Sequence, residues 1–393
     1  MPILVPPAMP APAAARAGCP AVLRATWAGP EMTLGLAGGF GPAIGSGPGG
    51  ERARAASELR VVDGHLWVAQ DDSAYAAVSP LAGGPGRLRL LFPELAARFG
   101  RGAVPKAGKA DVECFVKVET KQGPRLLAMG SGSAPGRTRV ALIDPAGGPE
   151  TTRVATLAGM YATLAARTDL VGTELNLEGA ANLEDVLRLF QRGNGAERDG
   201  RRPRNASIDL DLAGFLSYLD RALVDPGAPF DGKLLRFAAV YDLGELRGGR
   251  LTFSGACELG GGWCVYVAAA ELSPDAVADG DIAGSAVGLI DRQGRAFQTP
   301  LVLPDGSVPA LKLEGVALAG PDAGGLELLL CADQDQPGHP SPILRARLQG
   351  PLVLRVLAEA FRFDQRQPSS TARQAERHTR GRSPRTPRAG HRR

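Results

Sequence analysis

Hydrophobic positions along this chain fall in short runs, and the runs recur in a fixed sentence. An extended segment containing Glu, a small residue and an apolar one is followed by a turn and then by near-continuous hydrophobics. Asp111-Val112-Glu113-Cys114-Phe115 precedes Leu126-Leu127-Ala128-Met129, and Asn176-Leu177-Glu178-Gly179-Ala180 precedes Val186-Leu187-Arg188-Leu189-Phe190. Lys312-Leu313-Glu314-Gly315-Val316 precedes Leu326-Glu327-Leu328-Leu329-Leu330. Two looser copies are Ser57-Glu58-Leu59-Arg60 before Leu66-Trp67-Val68, and Phe253-Ser254-Gly255-Ala256 before Trp263-Cys264-Val265-Tyr266-Val267. A period of roughly sixty residues with several strands per unit predicts a radial array of small sheets, an all-β propeller. Five visible units predict five blades, with a sixth built from the termini as the alternative.

Each unit reads as four strands, counted from the axis outward. The first has residues 58–62, 66–69, 75–79 and 88–92, with Asp63-Gly64 as a hairpin turn between apolar runs. The second has 112–118, 126–129, 140–143 and 151–157, and the third has 177–181, 186–190, 206–210 and 234–241. The fourth has 253–257, 263–268, 286–290 and 300–303. The fifth has 312–317, 326–331 and 343–348, its outer strand being either 352–357 or the N-terminal segment. Residues 157–167 and 212–223 carry the 3.6-residue period of short helices in connections.

The ring should occupy residues 55–360. Residues 1–54 are rich in Ala, Pro and Gly and offer too little apolar surface to offset their ordering entropy. Within them Ala21-Val22-Leu23-Arg24-Ala25-Thr26-Trp27 alternates like a strand, and in a closed ring it could pair with the last blade. Residues 361–393 read as a disordered Arg-rich tail. From Gln365 onward that tail holds nine arginines against one acid, a charge of +8. The whole chain carries +4, so the body is mildly acidic, at about −4, and nucleic-acid binding has only the tail to rest on.

No segment approaches the roughly twenty apolar residues of a membrane span. The first residues lack a charged region before any apolar core, which argues against a secretory signal and makes cytoplasm the expected location. Five cysteines, Cys19, Cys114, Cys257, Cys264 and Cys331, form no C-x-x-C pair, and four lie in predicted strands, where a reduced thiol acts as a small hydrophobe.

In a propeller blade, the entry to the inner strand and the loop between the second and third strands open on the same end of the ring. The first set supplies Lys109, Asp111, Glu113, Asn176, Glu178, Lys312 and Glu314, with Glu58 and Ser254 in the weaker copies. The second supplies Asp71, Asp72, Gly130 to Ser133 with Arg137, Arg192, Asn194, Glu271, Asp333 and Asp335. Carboxylates that converge on one axis raise one another's pKa and need an answering cation. The expected site is a mouth that binds a small polar or anionic ligand through Lys109, Glu113, Arg137, Glu178, Arg192, Asn194, Lys312 and Glu314. A divalent cation such as calcium is the cofactor candidate, with Glu178, Glu314 and Asp333 as its ligands. Against this stands an architectural role, in which each Glu caps backbone amides and the following Gly permits close approach at a crowded centre.

Sharper motifs fail on spacing. Residues 102–110 end in Gly108-Lys109-Ala110 but are one residue too long for a phosphate loop and lack its Ser or Thr. Gly130-Ser131-Gly132-Ser133 fits neither a nucleophile elbow nor a dinucleotide fingerprint. Of four histidines, His378 and His391 lie in the tail and His65 in a turn at the far end of the ring, so His339 alone could reach the mouth. That excludes a zinc site built on several histidines.

From Glu58 to Leu348 the chain resembles an uncharacterised bacterial family expected to form propellers. The matching segments are Lys109-Ala110-Asp111-Val112-Glu113, Met129-Gly130-Ser131-Gly132-Ser133 through Arg137, Leu175 to Ala181, Gln191-Arg192-Gly193-Asn194-Gly195, and Lys312-Leu313-Glu314-Gly315. In its Glu-Gly strand openings it is also similar to esterase-like phytase propellers, a resemblance that implies metal-dependent phosphoester hydrolysis. Ser254, where that pattern has Glu, and Ala268-Ala269-Ala270 depart from it. The functional expectation is a ligand- or cation-binding propeller with hydrolase activity as an option. The alternative is a non-catalytic protein-interaction scaffold.

Overall fold

Short apolar runs separated by tight turns can satisfy their backbone only by pairing with their sequence neighbours, and each repeat does so as one antiparallel sheet. The computed structural model describes residues 20, 22–39, 53–83, 85–272, 281–322, 324–333 and 340–364. Blade one comprises Ala56–Val62, His65–Gln70, Tyr75–Pro80 and Arg87–Leu90. Its first hairpin turns on Asp63 and Gly64, at φ 48° and 73°, the left-handed pair that the Asp-Gly signal predicts. Blade two comprises Val112–Thr120, Gly123–Gly130, Arg139–Ile143 and Arg153–Thr156. Blade three comprises Leu177–Asn182, Val186–Gln191, Asn205–Asp211 and Leu235–Asp242.

Blade four comprises Gly249–Gly260, Trp263–Glu271, Ile282–Ile290 and Ala296–Pro300. Its outer strand precedes the expected 300–303, because Ala296 to Pro300 is the stretch that stays in register with Ile290 to Ala286. Blade five comprises Lys312–Asp322, Gly325–Asp333 and Ile343–Gln349, with Thr33–Gly39 from the N-terminal region as its antiparallel outer strand. The alternative strand, 352–357, lies instead within the helix Pro351–Asp364, whose Leu352, Val353, Val356 and Leu357 are buried. The five inner strands meet in ring order and close.

The N-terminal segment does more than close the last blade. Val22–Arg24 adds in parallel to the outer strand of blade three, and Thr26–Trp27 adds in parallel to that of blade four. The alternating stretch expected on the last blade therefore straps the two blades before it. Helices Ala158–Ala165 and Leu212–Ala222 fall where the 3.6-residue period places them. Asp211 caps the second by accepting from the amide of Gly214.

The core is divided among the blade interfaces, since each sheet buries both faces against neighbours. One apolar cluster lies between each adjacent pair, including blades five and one. Between blades three and four, Phe253 meets Phe190, Tyr241 and Tyr266 edge-on, at centroid distances of 5.1, 5.5 and 5.1 Å. Cys114, Cys257, Cys264 and Cys331 are buried and unbridged. Among the described residues no helix is long and apolar enough to cross a membrane.

Candidate functional site

Every inner strand breaks register at its mouth end, and that break sets the geometry of the axis. The bulged residue is Ser57, Glu113, Glu178, Ser254 or Glu314 in blades one to five. A bulge inserts one residue against none on the partner strand and re-aims its side chain. Sequence similarity pairs Glu58 with Glu113, but the register pairs Ser57 with it. Glu58 falls one position on, level with Cys114, Gly179, Gly255 and Gly315.

That shift explains the Gly of the Glu-Gly motif. A Cβ on Gly179 would meet the Ala256 nitrogen at 2.8 Å, and one on Gly315 would meet the Glu58 Cα at 2.6 Å. The space left by the glycines is filled from blade one. Glu58, fully buried, accepts from the amides of Leu59 and Val316 at 3.0 Å each and of Ala256 at 3.1 Å. Two residues on, and so on the same strand face, Arg60 donates to the carbonyls of Ala180 at 2.6 Å, Ala256 at 2.7 Å and Val316 at 3.3 Å. Glu58 and Arg60 lie 3.4 Å apart. Burial pushes the Glu58 carboxyl up, to about 8, against the lowering pull of Arg60 and the three amides. The pair is a plug that ties blade one to blades three, four and five across the axis. Glu58, placed by sequence in the mouth, is a brace beneath it.

Above the plug, the bulged residues form the mouth. The two serines are spent on the backbone of the next blade, Ser57 on the carbonyl of Val112 and Ser254 on that of Leu313 at 2.6 Å. Glu178 accepts from Asn176 at 2.6 Å and from Arg192 at 3.3 Å. Arg192 also bonds Glu271, and Lys312 lies 2.9 Å from Glu314 and 3.7 Å from Glu271. Asn194 accepts from Asn176 at 3.4 Å. Asp333 is the register partner of Lys312 at the mouth end of blade five.

A second knot centres on Asp111, a buried residue at φ 57°. Lys109 reaches it at 2.7 Å while also bonding Asp71, Arg137 reaches it at 2.8 Å, and Ser131 donates to it. Gly132, at φ 75°, lets this loop fold over Tyr161, whose ring would strike any Cβ there at 2.3 Å. Arg54 answers Asp72 at 3.2 Å.

Glu113 differs from all of these. It is partly exposed and makes no hydrogen bond or ion pair with any described residue. Its oxygens, with those of Asp71 and Asp111, lie within 4.8 Å of one another, the one such acidic group among the described residues. Glu178, Glu314 and Asp333, the metal candidates from sequence, form no such group. Burial first, then Glu178, Asp111 and Asp71, push the Glu113 carboxyl well above the usual range, with Lys109 opposing. Burial likewise lifts Glu178 to about 7 against Arg192, with Glu314 adding to the rise. Burial lifts Asp71 to about 6 against Lys109.

Lys109, Glu113, Arg137, Glu178, Arg192, Asn194, Lys312 and Glu314 thus all stand around one mouth, as the strand logic requires. His65 lies in the hairpin turn at the other end, its Nδ1 2.9 Å from the Asp63 carbonyl, while Asp335 and His339 fall outside the described residues. Sequence reasoning missed Arg60. Its signal was present as two charged residues, 58 and 60, alternating with apolar ones on a strand flanked by buried chain.

A family model described as a family of unknown function, DUF6929, matches residues 52–348. Curated relatives include the ATP phosphoribosyltransferase regulatory subunit of Anaeromyxobacter sp. (strain K), 31% identical over 170 residues, covering 40% of this chain and 48% of that protein. The subunit of Anaeromyxobacter dehalogenans (strain 2CP-C) is 29% identical over 177 residues, covering 42% and 50%. The chain spans about half the length of the curated relatives it matches. Among solved structures, a streptogramin B lyase is 10% identical with a TM-score of 0.31, covering 81% of this chain and 97% of that one. The β-propeller domain of Myceliophteria thermophila Cps50 (Swd1) is 9% identical at 0.32, covering 76% and 98%. A putative glycoside hydrolase from Parabacteroides distasonis is 12% identical at 0.35, covering 76% and 87%. Scores this low carry no argument about function.

Proposed function

The chain belongs to the family of unknown function DUF6929, which passes on no activity, and we propose that the ring mouth binds a small cationic ligand with Glu113 as its principal anchor. The observation that supports this is the contrast in pairing. Glu178 has Arg192, Glu314 has Lys312, and Asp111 has Lys109 and Arg137, whereas Glu113 has no partner among the described residues. A carboxylate held beside three others, with Lys109 near but no hydrogen bond or ion pair of its own among the described residues, is costly, and a bound cation removes that cost.

The kind of cation follows from what already fills the site. Lys109 bridges Asp71 and Asp111, two of the three carboxylates that a divalent ion would need. Calcium therefore has to displace an ammonium group that is already in place. An organic ammonium needs only Glu113 and the flanking Glu178. The hydrolase reading has less support, since Ser131 is held by Asp111 and no described histidine stands at the mouth.

The test is a thermal-shift series with ethanolamine, calcium and manganese on the wild-type chain and on Glu113→Gln. A ligand at a hundred times its dissociation constant adds about 2.7 kcal/mol to stability. The expected result is a shift with the amine that Glu113→Gln abolishes. A shift with calcium alone replaces the amine by a metal. No shift with any of the three overturns the reading and favours a docking scaffold.

A further inference from the structure

On blade two, next to the acidic mouth, lies a cavity of opposite character. It has a volume of about 370 Å³ and is lined by Lys106, Ala107, Lys109, Ala134, Gly136 and Arg137, with no acid in its wall. Lys106 is exposed, and its ammonium group pairs with none of the described residues. Arg137 spends Nη1 on Asp111 and on Ser133 at 2.7 Å, while Nη2 reaches only the Lys106 carbonyl at 3.5 Å and Nε donates to no described residue. A guanidinium has five N–H donors in a planar fork, so this one keeps the capacity to hold an oxyanion. Asp111, buried behind the wall, fixes the direction of both Lys109 and Arg137.

Lys109 belongs to both places. It lines the cavity and touches Asp111 at 2.7 Å, and the Asp111 carboxylate lies within 4.8 Å of Glu113. We infer that the cavity is an anion-accepting subsite, and, resting on the cation reading of the mouth, that the ligand is a compact zwitterion with an ammonium group at Glu113 and a phosphate or carboxylate at Lys106 and Arg137. The size fits, because small-molecule sites begin at about 300 Å³. Joining the two charges in one molecule makes the second contact intramolecular, so the whole binds more tightly than its parts.

Calorimetric titration with inorganic phosphate, acetate, ethanolamine and phosphoethanolamine tests this on the wild-type chain, Lys106→Glu and Glu113→Gln. Lys106 is exposed, so its replacement leaves folding intact. Phosphate or acetate should bind the wild type, the tighter of the two naming the anion, and Lys106→Glu should weaken that binding at least tenfold while leaving ethanolamine unaffected. Glu113→Gln should do the reverse. Phosphoethanolamine, or β-alanine if acetate is preferred, should bind at least tenfold more tightly than either half. Failure of both anions to bind, or equal binding by Lys106→Glu, overturns the anion subsite even if ethanolamine binds. Anion binding without ethanolamine binding overturns the mouth reading and leaves the subsite standing. Binding of both halves with no gain on joining them overturns the zwitterion.

Discussion

The axis of this ring holds two layers of charged residues with opposite bookkeeping. In the plug, Glu58 has three amide donors and an arginine, and Arg60 has carbonyls from three other blades. In the mouth one residue higher, four cations answer most of the acids and leave Glu113 bare. Buried charges that are answered, as in the plug, where only the Arg60 Nε lacks a hydrogen bond, hold a structure together, while an unanswered one is held in readiness at a cost to stability. The plug comes from the blade-one strand at the positions after its bulge, and the mouth carboxylates Glu113, Glu178 and Glu314 come from the bulged positions of blades two, three and five, so the difference follows from place relative to the bulge. The bulged side chain is directed to the opening, and the next one enters the crowded centre.

The plug should show the largest mutational effect. Arg60→Met removes the partner of a buried carboxylate and leaves the carbonyls of Ala180 and Ala256 without these donors, a loss of about 3–5 kcal/mol. Chemical denaturation measures it. The double variant Glu58→Gln/Arg60→Met should recover part of that loss above about pH 8, where Glu58 is forced to ionise, since no uncompensated charge remains. If the single variant costs less than about 1 kcal/mol, the plug is not a brace and the comparison between the layers collapses.

How much of this was legible in the sequence follows from the same geometry. Strand pairing within a blade is local, so runs such as Leu66 to Ala69 and the Asp63-Gly64 turn placed blade one directly. The closure of blade five by Thr33–Gly39 is not local, and Thr-Leu-Gly-Leu-Ala-Gly-Gly is too rich in glycine to announce a strand. The convergence of Glu113, Glu178 and Glu314 followed from repeat phase alone. The identity of the blade-one equivalent did not, because Ser57-Glu58 offers two candidates and only the register shift between Ala56 and Glu58 selects Ser57. Which carboxylate lacks a partner depends on long side chains such as Lys109 and Arg192 reaching across loops, and spacing cannot fix that.

pH sharpens the contrast at a smaller scale. Glu178 binds its proton more tightly in the folded chain, at about 7, than at its ordinary 4.5, and Asp71 at about 6 against 3.8. The folded state is then favoured at low pH. Their contribution is fully present below pH 4 and is lost as pH rises through 6 to 7, when both must ionise among like charges. The two shifts together bound the fall at about 6 kcal/mol, and solvent screening of the partly exposed Asp71 brings it to a few kcal/mol across that window. Unfolding free energies measured from pH 4 to 8 check this, and Glu178→Gln should flatten the slope. A bound ammonium ligand should flatten it too, because it favours the ionised carboxylates, so ligand stabilisation should be greater at pH 8 than at pH 5.

The smallest expected effect separates the two kinds of bulged residue. Ser254 donates to the Leu313 carbonyl at 2.6 Å and is 1% exposed, so Ser254→Ala removes a buried hydrogen bond and should cost about 1 kcal/mol. It should leave the response to ethanolamine unchanged. Glu113→Gln removes no hydrogen bond and relieves repulsion from Glu178, Asp111 and Asp71, so it should leave stability unchanged or raise it by a few tenths of a kcal/mol while abolishing that response. The two variants thus dissociate stability from binding at equivalent bulged positions of two inner strands. If Glu113→Gln destabilises the ring as Ser254→Ala does, Glu113 is part of the frame, and the mouth and the plug are one structure with one purpose.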